Sequence, residues 1–156
     1  MEKEKLSILQ AAIKSQIETI EKIFQKIEAR RRKKGEVQIE SLAYQLHNLY
    51  CAFEDLFKIV ANFFENRIEE RARNHREILW RMKIPIEGIR PALLSETSYG
   101  LLDSLRAFRH FFLHAYSYEL NPKKVHLVLE EALKLREIYQ KEIQDFLAKL
   151  GMEAEE

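Results

Sequence analysis

The sequence predicts an all-α protein, an up-down bundle of four long helices and one short helix in a single domain, residues 1–156. Glycine and proline number only 4 and 3, so tight turns are few. Leu, Ile, Glu, Lys, Arg and Ala dominate the composition, and these residue types favour helices. Apolar residues recur at spacings of three and four, whereas the alternating pattern of strands is absent.

The first predicted helix covers residues 6–32 and carries an apolar stripe. It ends in a run of basic residues, 30–34, which precedes Gly35, a usual helix stop. This basic run would suit contact with an RNA backbone. We favour a solvated helix end, because cations are common where the helix dipole is negative.

The second predicted helix covers residues 41–68. Beside its apolar face lies a half-polar stripe at helical spacing: Tyr44, His47, Cys51, Glu54 and Lys58. Such a stripe would fit the border of a functional site or of a subunit contact. We favour the plainer interpretation, a helix face of intermediate exposure between core and solvent.

The middle of the chain has a less regular pattern. Residues 69–83 are highly charged and predict a short or broken helix. Three helix-breaking residues follow: Pro85, Gly88 and Pro91. Residues 84–95 therefore predict an irregular connection. Leucines and phenylalanines at helical spacing then predict a helix over residues 98–116.

The last predicted helix begins at Asn121, whose side chain suits the N-cap, with Pro122 in the first turn. Its apolar pattern runs to about Leu150. We expect Gly151 to close this helix and the acidic tail, residues 151–156, to fray.

The bulk composition limits the classes of function. The formal net charge is +1, so any nucleic-acid site must be a local basic patch. The single cysteine, Cys51, excludes an internal disulfide, which fits a reducing compartment. No apolar stretch is long enough to span a membrane, and the charged N-terminus is unlike a signal peptide. We therefore expect a cytoplasmic protein.

Most enzyme motifs are missing, among them a glycine-rich phosphate loop, a Cys-x-x-Cys pair and a His-Glu-x-x-His sequence. One polar cluster stands out among phenylalanines near the end of the helix predicted over residues 98–116: Arg106, Arg109, His110, His114, Tyr116 and Tyr118. Arg offers a planar, permanently charged fork for a phosphate, and His exchanges a proton near neutral pH. Together they suffice to cleave RNA without a metal, since His can remove the 2′-OH proton while Arg stabilises the charge on the phosphoryl oxygens.

Helix geometry puts Arg106, His110 and His114 on one face, and Arg109 about 140° away from His114. Arg109 and His114 can meet one substrate only if the helix ends or bulges near His114, or if a second subunit brings its own copy. The two histidines could also be metal ligands, although no nearby Cys, Asp or Glu completes a set. A third interpretation has Arg109 and the histidines hydrogen-bonded inside a bundle or dimer seam, and spacing alone favours it.

The sequence Arg109-x-x-x-x-His114-x-Tyr116 matches the signature of HEPN-domain toxins of the HepT-like group, which the chain resembles. His110 occupies the position after the arginine, where HEPN proteins often carry a polar residue. Further features of the resemblance are Tyr44, Tyr50 and Glu54 on the second helix, an Arg90-Pro91 loop, and a closing helix after the motif. The resemblance covers roughly residues 42–150.

The resemblance implies an endoribonuclease that needs no metal or other cofactor and acts as a homodimer, with two copies of the motif lining one cleft. Arg109 and His114 would be catalytic, His110 would support them, and Arg106 would help to bind RNA. The implied partner is a nucleotidyltransferase antitoxin of the MNT type. It would silence the toxin by transferring AMP to Tyr116.

Two points of the resemblance are ambiguous. Tyr118 is a second candidate for the AMP acceptor. A net charge near zero requires local enrichment of positive charge, and the candidates for it are Arg106, Arg109 and the run of Arg71, Arg73 and Arg76. Two other functions also stay open. One is a non-catalytic HEPN-like partner that binds a nucleotidyltransferase or its nucleotide, and the other is a helical adaptor unrelated to HEPN proteins.

Overall fold

The computed structural model describes residues 1–65, 75–117 and 119–155, with side chains as far as residue 152. Its α-helices are α1 (Lys3–Arg30), α2 (Glu36–Glu65), α3 (His75–Met82), α4 (Glu96–Leu113) and α5 (Pro122–Glu155), and a 3-10 turn, Ala115–Ser117, follows α4. The predicted all-α bundle of four long helices and one short helix is confirmed. No helix in the described part of the chain is long and apolar enough to cross a bilayer.

Helix α2 is the centre of the bundle, since it packs against each of the other four α-helices. At the middle of the core, the rings of Phe53 from α2 and Tyr139 from α5 meet edge to face, 5.0 Å between centroids. Phe24 of α1 stacks on Tyr139 at 5.9 Å. These three fully buried rings join α1, α2 and α5, and burial of such large apolar surfaces is the main source of stability in a bundle.

The link between α1 and α2 is shorter than predicted, because α2 begins at Glu36 and not near residue 41. Gly35 adopts φ +113°, a conformation open to glycine that reverses the chain within a few residues. Ile39, four residues later, lies in the core and is 7% exposed. Its burial stabilises the first turn of α2. Residues 32–34 of the basic run are exposed, in agreement with a solvated helix end. The predicted end of this helix, near residue 68, lies outside the described residues.

The end of α5 also differs from the prediction, because the helix continues through Gly151 to Glu155. Gly151 keeps a helical backbone, and the adjacent Leu150 is 1% exposed. A Cβ built on Gly151 would lie 3.9 Å from Leu6 of α1, an ordinary packing distance. The start of α1 thus packs against this part of α5, so tertiary contact outweighs the weak helix preference of glycine.

The connection between α3 and α4 is irregular, as predicted, and Arg90 organises it. The Arg90 guanidinium donates to the backbone carbonyls of Arg81, Ile84 and Pro91 at 3.0 to 3.2 Å. Its Nη2 also donates to Oε1 of Glu65 at 3.2 Å. Arg90 is 3% exposed, so this loop is tied to the end of α2 by a buried ion pair.

Candidate active site

Helix α4 has a firmly anchored N-terminus. Ser95 is its N-cap, with Oγ accepting a hydrogen bond from the Ser98 backbone N–H at 3.1 Å. Glu142 of α5 accepts hydrogen bonds from the Ser95 backbone N–H at 2.6 Å and from the Ser98 hydroxyl. Further along, Phe108 is buried in the core. These contacts fix the rotation of α4, so Arg109 lies beside the core, only partly exposed.

Helix α4 ends at Leu113, earlier than the predicted limit near residue 116. His114 is its C-cap, with backbone angles of φ −109° and ψ 10°, and its N–H bonds to the carbonyl of Phe111 at 3.1 Å. The chain then enters the 3-10 turn that carries Tyr116. The helix therefore ends at His114, which is one of the conditions under which Arg109 and His114 could serve one substrate. The His114 side chain is exposed, and Tyr116 is 91% exposed.

Arg109 is held on one side by two hydrogen bonds. Its Nε donates to Sγ of Cys51 on α2 at 3.4 Å, and its Nη1 lies 3.2 Å from Nε2 of His75 on α3. Within the described ranges no hydrogen bond engages Nη2. The guanidinium is thus fixed in orientation with donor capacity left at Nη2, an arrangement that suits an anionic oxygen.

His75 in turn is held by Glu54. Nδ1 of His75 lies 2.7 and 2.8 Å from the two carboxylate oxygens of Glu54. The carboxylate accepts, so Nδ1 carries the proton, and a neutral His75 then offers the lone pair of Nε2 to Arg109. The Glu54 side chain is 8% exposed, and the Lys58 ammonium lies 3.5 Å from its Oε1. A continuous polar chain therefore runs from α2 through α3 to α4.

Tyr50 lies beside this polar chain. Its hydroxyl donates to the backbone carbonyl of His75 at 3.5 Å. Burial raises the pKa of Tyr50, and the charge of Glu54 raises it further. The phenol is therefore neutral at physiological pH and acts as a hydrogen-bond donor.

The half-polar stripe of α2 faces this region. His47, Cys51 and Lys58 are of intermediate exposure, as predicted, whereas Tyr44 is exposed and Glu54 is buried. Cys51 and Glu54 belong to the polar contacts around Arg109. His47 lies next to them, with Nε2 at 3.9 Å from Sγ of Cys51 and its ring 5.3 Å from that of Phe112. Burial lowers the pKa of His47; the Asn48 side chain partly offsets this by hydrogen bonding, and the positive charge of Arg109 lowers it further.

The other predicted site residues lie in different surroundings. Arg106 donates from Nε to Oδ1 of Asp103 at 2.8 Å. The rings of His110 and His114 contact each other edge to face, 4.8 Å between centroids, and both side chains are exposed. The structure thus pairs the two histidines as the four-residue spacing predicts, while Arg109 points to α2 and α3.

An open cleft of about 600 Å³ lies beside Tyr116. Its lining residues are Glu40, Phe112, Leu113, Ala115, Tyr116, Glu119 and Leu120. The cleft is mainly apolar, with two carboxylates and the tyrosine as polar groups. Among the described residues no three His, Cys, Asp or Glu side chains are grouped so that they could hold a metal ion.

No pattern in the sequence indicates His75, the residue that joins Glu54 to Arg109. It lies 21 residues from Glu54 and 34 from Arg109, so no helical spacing relates the three. Only the packing of α3 against both α2 and α4 brings them together. Three residues considered from the sequence, Arg71, Arg73 and Tyr118, lie outside the described residues.

The fold and the site together define a helical bundle that carries an Arg, His and Tyr cluster at the end of its fourth helix. A family model described as HepT-like protein matches residues 41–150, from α2 into α5. The chain therefore belongs to the HepT-like family, and the resemblance to HEPN-type toxins found from the motif is confirmed. Comparison with curated proteins gave no match, and comparison with solved structures gave none either.

Proposed function

We propose that this protein is the toxin of a HEPN/MNT toxin–antitoxin pair, a metal-independent endoribonuclease whose catalytic residues are Arg109 and His114. The observation that carries the proposal is the state of Arg109. Its guanidinium is held by hydrogen bonds to Cys51 and His75, near the helix end at which His114 is exposed. Membership of the HepT-like family supports the same conclusion.

The proposed reaction needs a base, an anchor for the phosphate and a source of a proton. His114 removes the proton of a ribose 2′-OH, and that oxygen forms a bond to the adjacent phosphorus. The bond from phosphorus to the 5′ oxygen breaks, and that oxygen takes up a proton from solvent water. The products are a 2′,3′-cyclic phosphate and a 5′-hydroxyl. Arg109 stabilises the charge on the phosphoryl oxygens through Nη2, and His110, in contact with His114, supports the proton transfers.

We propose that two copies of the chain form the working enzyme, as the family resemblance implies. Arg109 turns toward α2 and α3, whereas His114 is exposed beyond the helix end. A homodimer that apposes the two α4 ends would supply a second Arg109 and a second His114 to one cleft. Arg106 would then contribute positive charge for RNA binding, although its ion pair with Asp103 reduces that contribution.

We propose that Tyr116 is the off-switch of the toxin. It is 91% exposed, so its hydroxyl is open to a nucleotidyltransferase antitoxin. AMP attached there would add an anionic phosphate and a base near the helix end. The phosphate would compete with RNA for Arg109, and the adjoining apolar cleft would accommodate the base.

The first test is cleavage of RNA by the purified protein in the presence of a chelator. We expect His114→Ala to slow cleavage by about 10²- to 10⁴-fold, the usual contribution of a general base. His126→Ala is the matched control, since His126 is an exposed histidine whose hydrogen bond among the described residues is to the Pro122 carbonyl of its own helix. Intact RNA with the wild-type protein would contradict the proposal. Tight binding of a nucleotidyltransferase without RNA cleavage would instead favour the alternative function, that of a non-catalytic HEPN-like partner.

The second test is the intact mass of the protein after co-expression with an MNT-type nucleotidyltransferase. We expect the mass to increase by one or more AMP units and RNA cleavage to be lost. Tyr116→Phe should abolish this increase and leave the toxin active. A Tyr118→Phe variant serves as the comparison, and an increase that Tyr116→Phe does not change would assign the modification elsewhere.

A further inference from the structure

We infer that His75, fixed by Glu54, is a positioning residue for the Arg109 guanidinium. The inference rests on the proposed function, which gives Arg109 the role of phosphate anchor. It assigns a role to two residues that lie outside the Arg-x-x-x-x-His-x-Tyr motif. Its basis is the hydrogen-bond chain from Glu54 through His75 to Arg109, with separations of 2.7 to 2.8 Å and 3.2 Å.

The groups at the two ends of this hydrogen-bond chain determine which atoms donate and which accept. The Glu54 carboxylate can only accept a hydrogen bond, and the Arg109 guanidinium can only donate one. The imidazole between them must therefore donate from Nδ1 and accept at Nε2, which only one neutral tautomer does. Glu54 selects that tautomer by accepting at Nδ1. Without the carboxylate, His75 could carry its proton on Nε2 and would then present an N–H to the guanidinium.

Burial makes this arrangement specific. The Glu54 side chain is 8% exposed, so its charge needs partners inside the protein. His75 lies 2.7 Å from the carboxylate, whereas Lys58 lies farther away at 3.5 Å. Glu54 is thereby committed to His75, and the imidazole ring is held from one side by a buried charge and from the other by Arg109.

The result is an arginine whose conformation is set before substrate arrives. Cys51 engages Nε and His75 engages Nη1, so torsion about the end of the side chain is restricted. Donor groups that are already oriented toward the developing charge stabilise a transition state more than mobile groups do. His75 would therefore affect the rate of the chemical step more than the affinity for RNA.

The test compares His75→Phe with His75→Gln in single-turnover RNA cleavage at several protein concentrations. Phe keeps the ring but removes both nitrogens, whereas the Gln side-chain oxygen can occupy the acceptor position of Nε2. We expect His75→Phe to lower the maximal rate by about 10- to 100-fold with little change in the half-saturating concentration. His75→Gln should recover a substantial part of that loss. His126→Phe is the matched control, for which no change is expected.

A second readout does not depend on cleavage. The Nε–H group of Arg109 gives a side-chain NMR signal, assigned by its disappearance in Arg109→Lys, whose intensity and relaxation report order. We expect an ordered signal in the wild type and in His75→Gln, and a mobile one in His75→Phe. Glu54→Leu keeps a similar side-chain volume and removes the acceptor at Nδ1 of His75, so we expect a mobile Arg109 signal in this variant as well.

The outcomes separate this inference from the proposed function. A wild-type protein that cleaves RNA and a His75→Phe variant that cleaves equally fast would overturn the inference and leave the function intact. Equal loss in His75→Phe and His75→Gln would also overturn it, because the acceptor would then be irrelevant. If the wild type leaves RNA intact, the proposed function fails, and the NMR signal decides the inference. An ordered Arg109 signal in His75→Phe would then overturn it.

Discussion

Replacing Arg90 by methionine tests how the connection between α3 and α4 is held. This connection joins the helix that carries His75 to the helix that carries Arg109. Methionine keeps an apolar stem of similar length and removes the guanidinium. The substitution leaves the carbonyls of Arg81, Ile84 and Pro91, and the carboxylate of Glu65, without their shared donor.

The expected loss in the free energy of unfolding depends on how deeply the ion pair of Arg90 and Glu65 is buried. The Arg90 side chain is 0% exposed and that of Glu65 is 14% exposed, so water replaces the lost partner poorly. Removal of one member of a buried ion pair costs about 3–5 kcal/mol. Glu65 keeps a second hydrogen bond, from Arg81 at 3.0 Å, which limits the penalty on its side. We therefore expect a loss near the lower end, about 3 kcal/mol in the free energy of unfolding.

The assay is equilibrium unfolding in urea, an uncharged denaturant that does not screen ion pairs. The free energies of unfolding of wild type and variant are compared with the same dependence on urea concentration. A double-mutant cycle with Glu65→Gln then separates the ion pair from the carbonyl contacts. Arg31→Met is the matched control, because Arg31 forms an exposed pair with Glu28 and should change stability by less than about 1 kcal/mol. A loss below about 1 kcal/mol in Arg90→Met would refute the reasoning.

Three further predictions concern stability. Burial raises the pKa of the Tyr50 and Tyr139 phenols above 10.0, so these groups ionise first in the unfolded state. The free energy of unfolding should therefore fall above about pH 10. Urea titrations at several pH values should show a smaller fall in Tyr139→Phe. Burial lowers the pKa of His47 from 6.5, so the unfolded state binds the proton first and stability should fall as the pH drops below 6.5; an unchanged pH slope in His47→Gln would contradict this. Asn121 Oδ1 accepts from the Lys123 backbone N–H at 3.0 Å, so Asn121→Ala should cost about 1 kcal/mol in thermal unfolding, and no shift in the midpoint would count against a capping role.

The helices could be predicted well because their signals are local. Periodic apolar residues, scarce glycine and proline, and the Asn121 cap all act within a few residues of the position they determine. The limits were less predictable where packing intervenes. Gly151 was predicted to end α5, but the helix continues beyond it, because this turn packs beside Leu6 of α1.

The same difference between local and long-range signals applies to the candidate site. The sequence by itself determined the Arg109, His114 and Tyr116 motif, because its members lie within eight residues of one another. Only the tertiary structure decided which groups surround Arg109. His75 reaches it because α3 packs against α2 and α4, and hydrogen bonds between residues so far apart in sequence have no periodic trace. A short-range motif can therefore indicate candidate site residues, while the orientation of their side chains depends on contacts that exist only in the folded chain.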